Sequence, residues 1–177
     1  MKQISILRHA KAAAYADYEI DFQRPLAGRG AEDAARMARF LAVQASRPTW
    51  IISSPALRAR HTAEIAAEIL ELSQALSWDE RIYDAGAETL LQVLQTAPEK
   101  VEHLLLVGHN PGMADLAAGL CAGSSDRVTL HLPTGGLVCL QSQVYYWHQM
   151  RWGAAQLRMM ISPKMVRPLI PTPKDKN

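Results

Sequence analysis

Apolar residues along the chain fall into short continuous runs, separated by stretches in which they recur at helical spacing. Continuous runs of about four to eight residues are typical of buried strands, and recurrence every three or four residues predicts helices. The predicted strands span residues 1–7, 49–52, 75–78, 103–107, 135–141 and 156–161. The predicted helices span residues 31–45, 54–72, 88–95 and 110–120. Strands and helices therefore alternate along most of the chain.

This alternation predicts the fold class. It favours an α/β fold, a three-layer sandwich in which a mostly parallel central sheet is covered by helices on both faces. In such sheets ligands bind beyond the carboxyl ends of the strands. Three predicted strands end in polar residues, at Arg8-His9, Ser53-Ser54 and Gly108-His109. Two histidines 100 positions apart in the sequence are therefore expected to converge on one site.

Each of these strand ends carries groups suited to anion chemistry. Arg8 offers a rigid fork of N–H donors that matches phosphate oxygens, and a neutral His9 can act as a nucleophile. Ser54 predicts a helix start, with its own side chain as the N-terminal cap. Arg58 then lies in the first helical turn, where a positive charge is unfavourable unless an anion is bound. With His109 as a second imidazole, the coincidence favours a phosphate pocket over three separate structural explanations.

Composition limits the classes of protein to which the chain can belong. With 177 residues, 49% hydrophobic and 20% charged, it is expected to be one ordinary globular domain. The net charge of +2 gives no reason to expect a nucleic-acid partner. No run reaches the roughly 18 apolar residues of a membrane helix, and the first apolar run is too short for a signal peptide. A cytoplasmic location without membrane attachment is expected.

The two cysteines do not predict a metal site. Cys121 and Cys139 lie outside any CxxC pair or zinc-ligand spacing, and no histidine pair at HxxxH spacing is present. We therefore expect reduced thiols, no metal and no cofactor.

The chain is expected to divide into one main unit and a short tail. Residues 1–163 are predicted to form a single domain. Residues 164–177 are predicted to form a basic, proline-rich tail that is ordered only in part.

Four short motifs follow one another between residues 3 and 165. They are Leu7-Arg8-His9-Ala10-Lys11, Arg24-Pro25-Leu26 followed by Gly28 and Gly30, Ser53-Ser54-Pro55-Ala56-Leu57-Arg58-Ala59 with Thr62, and Gly108-His109-Asn110-Pro111. This ordered set resembles the histidine phosphatase superfamily, whose fold is phosphoglycerate-mutase-like. It resembles the SixA-type phosphohistidine phosphatases more closely, although Ala10 departs from the usual Arg-His-Gly of the superfamily.

The resemblance implies a role for each matching residue. His9 is the residue that becomes phosphorylated. Arg8, Arg58 and His109 surround the transferred phosphoryl group, and Arg24 adds a further contact. The implied reaction is a two-step phosphoryl transfer that needs no metal, in which His9 attacks phosphorus and water then hydrolyses the phosphohistidine.

The leaving group decides the substrate class. An alkoxide needs a proton from a general acid, whereas an imidazole leaves readily once protonated. Phosphomonoesterases of the superfamily carry a glutamate acid in a loop near the middle of the chain, and SixA-type proteins are considered to lack it. The matching loop, residues 79–88, offers Glu80, Asp84 and Glu88, of which Glu80 is the first choice.

The leading functional hypothesis is a phosphohistidine phosphatase acting on a phosphorelay or phosphotransfer protein, as a monomer. The short chain leaves little length for a lid over the site, and an open pocket suits a phosphate on a protein surface. One alternative is a small-molecule phosphomonoesterase of the same superfamily, which a catalytic Glu80 would favour. A phosphate-binding adaptor with little turnover is the other alternative, and the intact His9, Arg8 and Arg58 argue against it.

Overall fold

Six strands form one sheet in the computed structural model, which describes residues 1–171. The strands are β1 (Lys2–Arg8), β2 (Trp50–Ser53), β3 (Leu76–Trp78), β4 (His103–Gly108), β5 (Leu137–Ser142) and β6 (Ala155–Ile161). Their order across the sheet is β3-β2-β4-β1-β5-β6. Pairing is parallel from β3 through β1, and among these six strands only β5 runs in the opposite direction. The prediction of a mostly parallel sheet is confirmed.

Helices cover both faces of this sheet. They are α1 (Gly28–Ala42), α2 (Leu57–Leu70), α3 (Ala87–Gln95), α4 (Gly112–Ala122) and α5 (Pro163–Val166). Helices α1, α2 and α5 share one hydrophobic core with the sheet, and α3 and α4 share the other. The three-layer α/β sandwich predicted from the sequence is therefore confirmed.

The alternation of side chains along β4 explains its continuous apolar sequence. Leu104 and Leu106 pack in the core beneath α3 and α4, whereas Leu105 and Val107 pack in the core beneath α1 and α2. Successive side chains of a strand point to opposite faces, so a strand covered on both sides needs apolar residues at every position. This is why β4 occupies the centre of the sheet and can carry His109 beyond its carboxyl end.

The prediction that Ser54 caps the second helix is wrong. Helix α2 begins at Leu57, and its N-cap residue is Ala56, whose side chain makes no capping hydrogen bond. Ser54 lies in the crossing from β2 to α2, where its Oγ accepts a hydrogen bond from the Ala56 amide and contacts His109 Nε2. The local sequence pattern predicted that the Ser54 hydroxyl caps the helix, but in the structure it contacts His109, which is distant in sequence.

Helix α1 begins three residues earlier than the apolar spacing predicted, at Gly28. Its first turn lies against the loop that follows β1, and a Cβ at Gly30 would lie 2.0 Å from the Lys11 carbonyl oxygen. The Ala27 amide also donates a hydrogen bond to that carbonyl, over 2.9 Å. The glycine thus permits a close approach that fixes the loop bearing the first motif.

The segment after β6 packs in part against α1. Val166 of α5 is fully buried in the core beneath α1 and α2, and the Arg36 side chain donates a hydrogen bond to the Ile170 carbonyl. The boundary at residue 163 remains a prediction, and residues 172–177 of the predicted tail lie outside the described residues. Within residues 1–171, no helix combines the length and the apolar character that crossing a membrane requires.

Candidate active site

The carboxyl ends of β1 and β4 bring His9 and His109 together, as the sequence predicted. The two strands are neighbours in register, with Arg8 opposite Gly108, and the His9 amide donates to the Gly108 carbonyl over 2.9 Å. The two imidazole rings lie 5.1 Å apart between centroids and are tilted by 53°. Both side chains are buried. Two histidines distant in sequence therefore form one cluster beyond the end of the sheet.

The contacts of His9 define its tautomer. Its Nδ1 lies 2.8 Å from the carbonyl oxygen of Ala10, which can only accept, so Nδ1 carries the proton. Its Nε2 lies 3.3 Å from Nε of Arg58, which can only donate. The ring is therefore neutral, and the lone pair of Nε2 is directed toward the guanidinium of Arg58. A lone pair in this position is the nucleophile that phosphoryl transfer requires.

Burial and positive charge keep His9 neutral. Burial is the largest cause that lowers its pKa, to about 4, and the hydrogen bond to the Ala10 carbonyl acts in the opposite direction. The nearby charges of Arg58, Arg8 and Arg24 lower the pKa further. A histidine with this pKa is unprotonated at neutral pH, so it can attack an electrophile without first losing a proton.

His109 is held by one ring nitrogen, and its other ring nitrogen has no partner among the described residues. Its Nε2 lies 2.8 Å from Oγ of Ser54, and its Nδ1 is buried without a hydrogen-bond partner among the described residues. Burial lowers its pKa to about 3, with further contributions from His9 and Arg58. A buried ring nitrogen without a partner is rare in folded proteins, which marks Nδ1 as a position where a ligand atom can bind.

Arg8 shows the same incomplete hydrogen bonding. Its Nη1 donates to the Leu132 carbonyl over 2.9 Å, and Asn110 Nδ2 donates to the same oxygen, whereas Arg8 Nε is buried without a partner within residues 1–171. Burial and the charge of Arg58 lower the pKa of Arg8, but an arginine still keeps its charge at neutral pH. A cation with an unused buried N–H group is a ready donor for an anion.

Arg58 connects His9 to a carboxylate that the sequence did not single out. Besides its bond to His9, it donates through Nη1 to the Asp21 backbone carbonyl over 2.7 Å and through Nη2 to Asp21 Oδ2 over 2.8 Å. The sequence predicted an uncompensated positive charge at the start of α2. The structure instead supplies the counter-charge from within the chain, so that Arg58 is oriented before any ligand arrives.

Arg24 reaches this cluster through the same carboxylate. Its Nη1 donates to Asp21 Oδ1 over 2.7 Å, and its Nε and Nη2 donate to the Ala13 carbonyl. Its charge is among those that lower the pKa of His9. A direct contact between Arg24 and phosphate remains a prediction, whereas its bond to Asp21 places a further cation near the site.

None of the three loop carboxylates makes a hydrogen bond or ion pair with His9, Arg8, Arg58 or His109 among residues 1–171, and Asp84 is exposed. Glu80 is exposed in a short 3-10 helix and makes no hydrogen bond or ion pair with His9, Arg8, Arg58 or His109 in the described part of the chain. Glu88 accepts a hydrogen bond from Trp152 Nε1 over 2.9 Å. The role of Glu80 as a general acid therefore remains a prediction without a supporting contact.

Sequence reasoning missed two residues that shape the site, Asp21 and Tyr83. Asp21 comes from an irregular loop in which no apolar period gives a signal. The Tyr83 hydroxyl donates a hydrogen bond to Asp21 Oδ2 over 3.2 Å. The Tyr83 ring meets the His109 ring edge-on, with centroids 5.6 Å apart. Thr62 accepts from the Ala10 amide over 3.1 Å and donates to the Arg58 carbonyl over 2.7 Å. Thr62 was part of the third motif, although no role was predicted for it.

The described residues contain no group of three or more histidine, cysteine, aspartate or glutamate side chains placed to hold a metal ion. The histidine pair is instead surrounded by arginines, an arrangement that suits an anion.

Comparison with known proteins agrees with this arrangement. The model of the histidine phosphatase superfamily (branch 1) matches residues 4–105. An uncharacterized protein of Mycobacterium tuberculosis strain H37Rv is 30% identical over 157 residues, covering 85% of this chain and 96% of that protein. Phosphohistidine phosphatase SixA of Escherichia coli K12 is 30% identical over 125 residues, covering 70% of this chain and 76% of SixA. A structure of the protein histidine phosphatase SixA complexed with tungstate superposes with a TM-score of 0.78 at 25% identity, covering 92% of this chain and 97% of that one.

Proposed function

The chain belongs to the histidine phosphatase superfamily and is a phosphatase, and from this premise we propose that it removes phosphate from histidine side chains of a protein through a phospho-His9 intermediate. The observation that carries the proposal is the neutral His9 ring. Its Nε2 lone pair faces Arg58, and its pKa is held near 4. An imidazole in this state is a nucleophile, and the cations around it suit the dianionic group that it would attack.

In the first step, His9 Nε2 attacks phosphorus in line with the bond to the leaving group. A bond from Nε2 to phosphorus forms, the bond from phosphorus to the leaving atom breaks, and its electron pair departs with the leaving group. His9 keeps its proton on Nδ1, hydrogen-bonded to the Ala10 carbonyl, so the phosphorylated ring carries a positive charge. Positioning and charge stabilisation account for most of the rate in such transfers.

Unpaired guanidinium and ring nitrogens supply that stabilisation. We take the Ser54 hydroxyl as the donor to His109 Nε2, so the neutral ring carries its proton on Nδ1, which can then donate. Arg8 Nε and His109 Nδ1 are both buried without partners in the described chain, and Arg58 retains N–H groups beyond its three bonds. We assign these groups to the phosphoryl oxygens. Donors that are already fixed in place lose little free energy to reorganisation when charge develops, because their neighbours hold them beforehand.

In the second step, water attacks the phosphorus of phospho-His9. The bond from phosphorus to Nε2 breaks, its electron pair returns to the ring, and dihydrogen phosphate forms with both protons of the water. The neutral Nδ1-protonated tautomer of His9 is regenerated, ready for another cycle. The His9 ring and the water supply every proton in the products, so the step needs neither a metal nor a cofactor.

The leaving group supports histidine as the substrate. A phosphorylated imidazole whose other nitrogen is protonated departs as a neutral ring, whereas an ester must release an alkoxide that needs a proton. Glu80, the first candidate for that proton donor, is exposed, and within residues 1–171 its side chain makes no hydrogen bond or ion pair with His9, Arg8, Arg58 or His109. The similar Escherichia coli protein is named phosphohistidine phosphatase SixA. The similar SixA structure contains tungstate, a tetrahedral oxyanion like phosphate.

The proposal extends to the partner and the setting. The substrate is a phosphohistidine-bearing protein of a phosphorelay or phosphotransfer pathway, and the chain acts on it as a monomer in the cytoplasm. A phosphomonoesterase remains the alternative, and the specific observation that would favour it is a catalytic role for Glu80.

The experiment that tests the proposal compares two substrates. Purified protein with EDTA is given a phosphohistidine-bearing protein and p-nitrophenyl phosphate in parallel, with His9→Ala as the control. We expect faster phosphate release from phosphohistidine, lost in His9→Ala. A preference for the ester would support a phosphomonoesterase. Release from neither substrate, with phosphate still bound, would support the adaptor.

A further inference from the structure

The Asp21 carboxylate lies one guanidinium group away from the nucleophile. Arg58 bonds His9 Nε2 through its Nε and Asp21 Oδ2 through its Nη2. The charge of Asp21 also raises the pKa of His109 against the larger effects of burial and the nearby cations, which places the carboxylate within electrostatic reach of the second histidine. Its side chain remains about 31% exposed. Asp21 is therefore a partly exposed carboxylate that Arg58 joins to the buried histidine pair, and a leaving group that departs on this side would pass it.

Asp21 has one acceptor position to spare. A carboxylate offers about four lone-pair positions. Arg24 Nη1 occupies one on Oδ1, and Arg58 Nη2 and the Tyr83 hydroxyl occupy two on Oδ2. The remaining position is on Oδ1. Although burial acts to raise its pKa, Arg58, Arg24 and Tyr83 outweigh burial and lower the pKa of Asp21, so the group is ionised and can only accept.

Two aromatic rings border the same carboxylate. The Tyr83 ring meets the His109 ring edge-on at 5.6 Å, and the Phe22 ring meets the Tyr83 ring edge-on at 5.0 Å between centroids. Phe22 immediately follows Asp21 and is partly exposed. A flat ring leaving the site would thus find apolar surface from Tyr83 and Phe22 beside an ionised acceptor. An imidazole with an N–H group matches both features, because it is flat and can donate from its second nitrogen.

We propose that Asp21 accepts a hydrogen bond from the second ring nitrogen of the leaving imidazole and so selects phosphohistidine over phosphate esters. The inference rests on the function proposed above and assigns the residue that sets its specificity. The sequence motif around Arg24 gave no role to Asp21.

The chemistry follows from the charge of the leaving ring. When the second nitrogen of a phosphohistidine is protonated, the bond from phosphorus to nitrogen breaks and the electron pair neutralises the ring. The proton stays on the second nitrogen and no general acid is needed. A neighbouring carboxylate favours the protonated ring, since an opposite charge raises the pKa of a histidine. The leaving oxygen of an ester has no such N–H group, so it cannot donate a hydrogen bond to the carboxylate. The carboxylate also repels the negative charge that develops on that oxygen.

The test measures the ratio of two catalytic efficiencies. For wild type and Asp21→Asn, kcat/KM is determined with a phosphohistidine-bearing protein and with p-nitrophenyl phosphate. A hydrogen bond to a charged group predicts that the ratio of phosphohistidine to ester falls about 10- to 100-fold in Asp21→Asn. The matched control is Asp17→Asn, an exposed aspartate in the preceding 3-10 turn, which should leave the ratio unchanged.

A pH profile separates substrate recognition from positioning. The rate with phosphohistidine should fall at high pH as the leaving ring loses its second proton, and Asp21→Asn should move that midpoint down by about one unit. Equal loss with both substrates and an unmoved midpoint would mean that Asp21 only positions Arg58, and the inference would be wrong. Faster turnover of both substrates would also overturn it, because the carboxylate would then compete with phosphate.

A second variant keeps the test usable if Asp21→Asn does not fold. Tyr83→Phe removes the hydroxyl from Oδ2 but keeps the ring and the carboxylate, so the preference for phosphohistidine should persist. Loss of that preference would assign recognition to the Tyr83 hydroxyl and refute the inference. If wild type, with His9→Ala inactive, cleaves only the ester, the proposed function itself fails together with this inference. That outcome differs from the one in which phosphohistidine is cleaved but Asp21→Asn does not change the ratio.

Discussion

Arg58 Nε donates a hydrogen bond to His9 Nε2 over 3.3 Å, so the cation that would hold the phosphoryl group also fixes the tautomer of the nucleophile. Because Nδ1 of the same ring is bonded to the Ala10 carbonyl, the imidazole cannot rotate without losing both contacts. The Arg58 guanidinium therefore has two effects on His9. It orients the Nε2 lone pair, and its charge adds to burial in lowering the pKa of the ring.

Arg58→Gln should lower kcat by about 10²- to 10³-fold, the loss typical of removing one stabilising donor from an active site. Arg58→Lys should lose nearly as much, because the single nitrogen of an ammonium group cannot occupy the separate positions from which Nε, Nη1 and Nη2 bond His9, the Asp21 carbonyl and Asp21 Oδ2. The His9 pKa, measured by NMR titration, should rise in Arg58→Gln because one depressing charge is gone. Arg60→Gln, an exposed neighbour paired with Glu64, is the matched control and should change neither quantity.

Ser54→Ala tests whether the hydroxyl orients His109. The substitution removes the 2.8 Å contact to Nε2 and the acceptor for the Ala56 amide. Loss of one hydrogen bond predicts a fall in kcat of about 10-fold and a loss of about 1–2 kcal/mol in the free energy of unfolding. Ser53→Ala is the control, since its buried hydroxyl donates to the Ser54 carbonyl without touching His109. Matching losses of kcat in the two variants would mean that the hydroxyl only supports the fold.

Glu80→Gln should leave kcat/KM for a phosphohistidine substrate within about 2-fold of wild type, as for most exposed substitutions. The reason is that the exposed Glu80 side chain makes no hydrogen bond or ion pair with His9, Arg8, Arg58 or His109 within residues 1–171. Steady-state rates with phosphohistidine and p-nitrophenyl phosphate provide the measurement. A loss of about 10²-fold or more with the ester alone would identify Glu80 as its general acid and return the protein to the phosphomonoesterase class.

The sequence was informative where regular elements carry the site. His9 and His109 follow apolar runs whose strand character was evident, so their convergence could be predicted from the parallel-sheet rule alone. Asp21 and Tyr83 could not be predicted, because they come from irregular segments 62 positions apart whose contact depends on how two loops pack. Ser54 was assigned to the wrong role because its local pattern matches a helix cap, whereas the deciding partner is 55 positions away.

Gly30→Ala should destabilise the loop that bears the first motif. An added Cβ would lie 2.0 Å from the Lys11 carbonyl oxygen, a backbone atom that cannot move aside alone. Overpacking of this kind predicts a loss of about 1–3 kcal/mol in the free energy of unfolding, measured by urea titration. Gly28→Ala lies two residues away with nothing within 4 Å of the new Cβ, so it should be neutral or slightly stabilising. Similar losses for both variants would contradict the role of close approach.

A third buried histidine predicts how stability depends on pH. His103 lies at the start of β4, at the other end of that strand from His109, where Ser5 and Ser46 hydroxyls contact its two ring nitrogens at 2.9 and 3.2 Å. Burial lowers its pKa to about 4, and a hydrogen bond with the backbone of Ser46 opposes that effect. In the unfolded chain the pKa is about 6.5, so between these two values the unfolded state binds more protons.

Stability from His103 is therefore complete above about pH 6.5 and is lost as the pH falls toward 4, by up to about 1.4 kcal/mol per pH unit. His9 and His109 act in the same direction, because their pKa values are also lowered. His103→Asn should reduce the slope of the unfolding free energy between pH 4.5 and 6.5, measured by urea titration at about half-unit intervals. His131→Gln, at an exposed position, serves as the control. If His103→Asn and wild type lose stability in parallel across this range, the ring of His103 is not the group whose protonation favours unfolding.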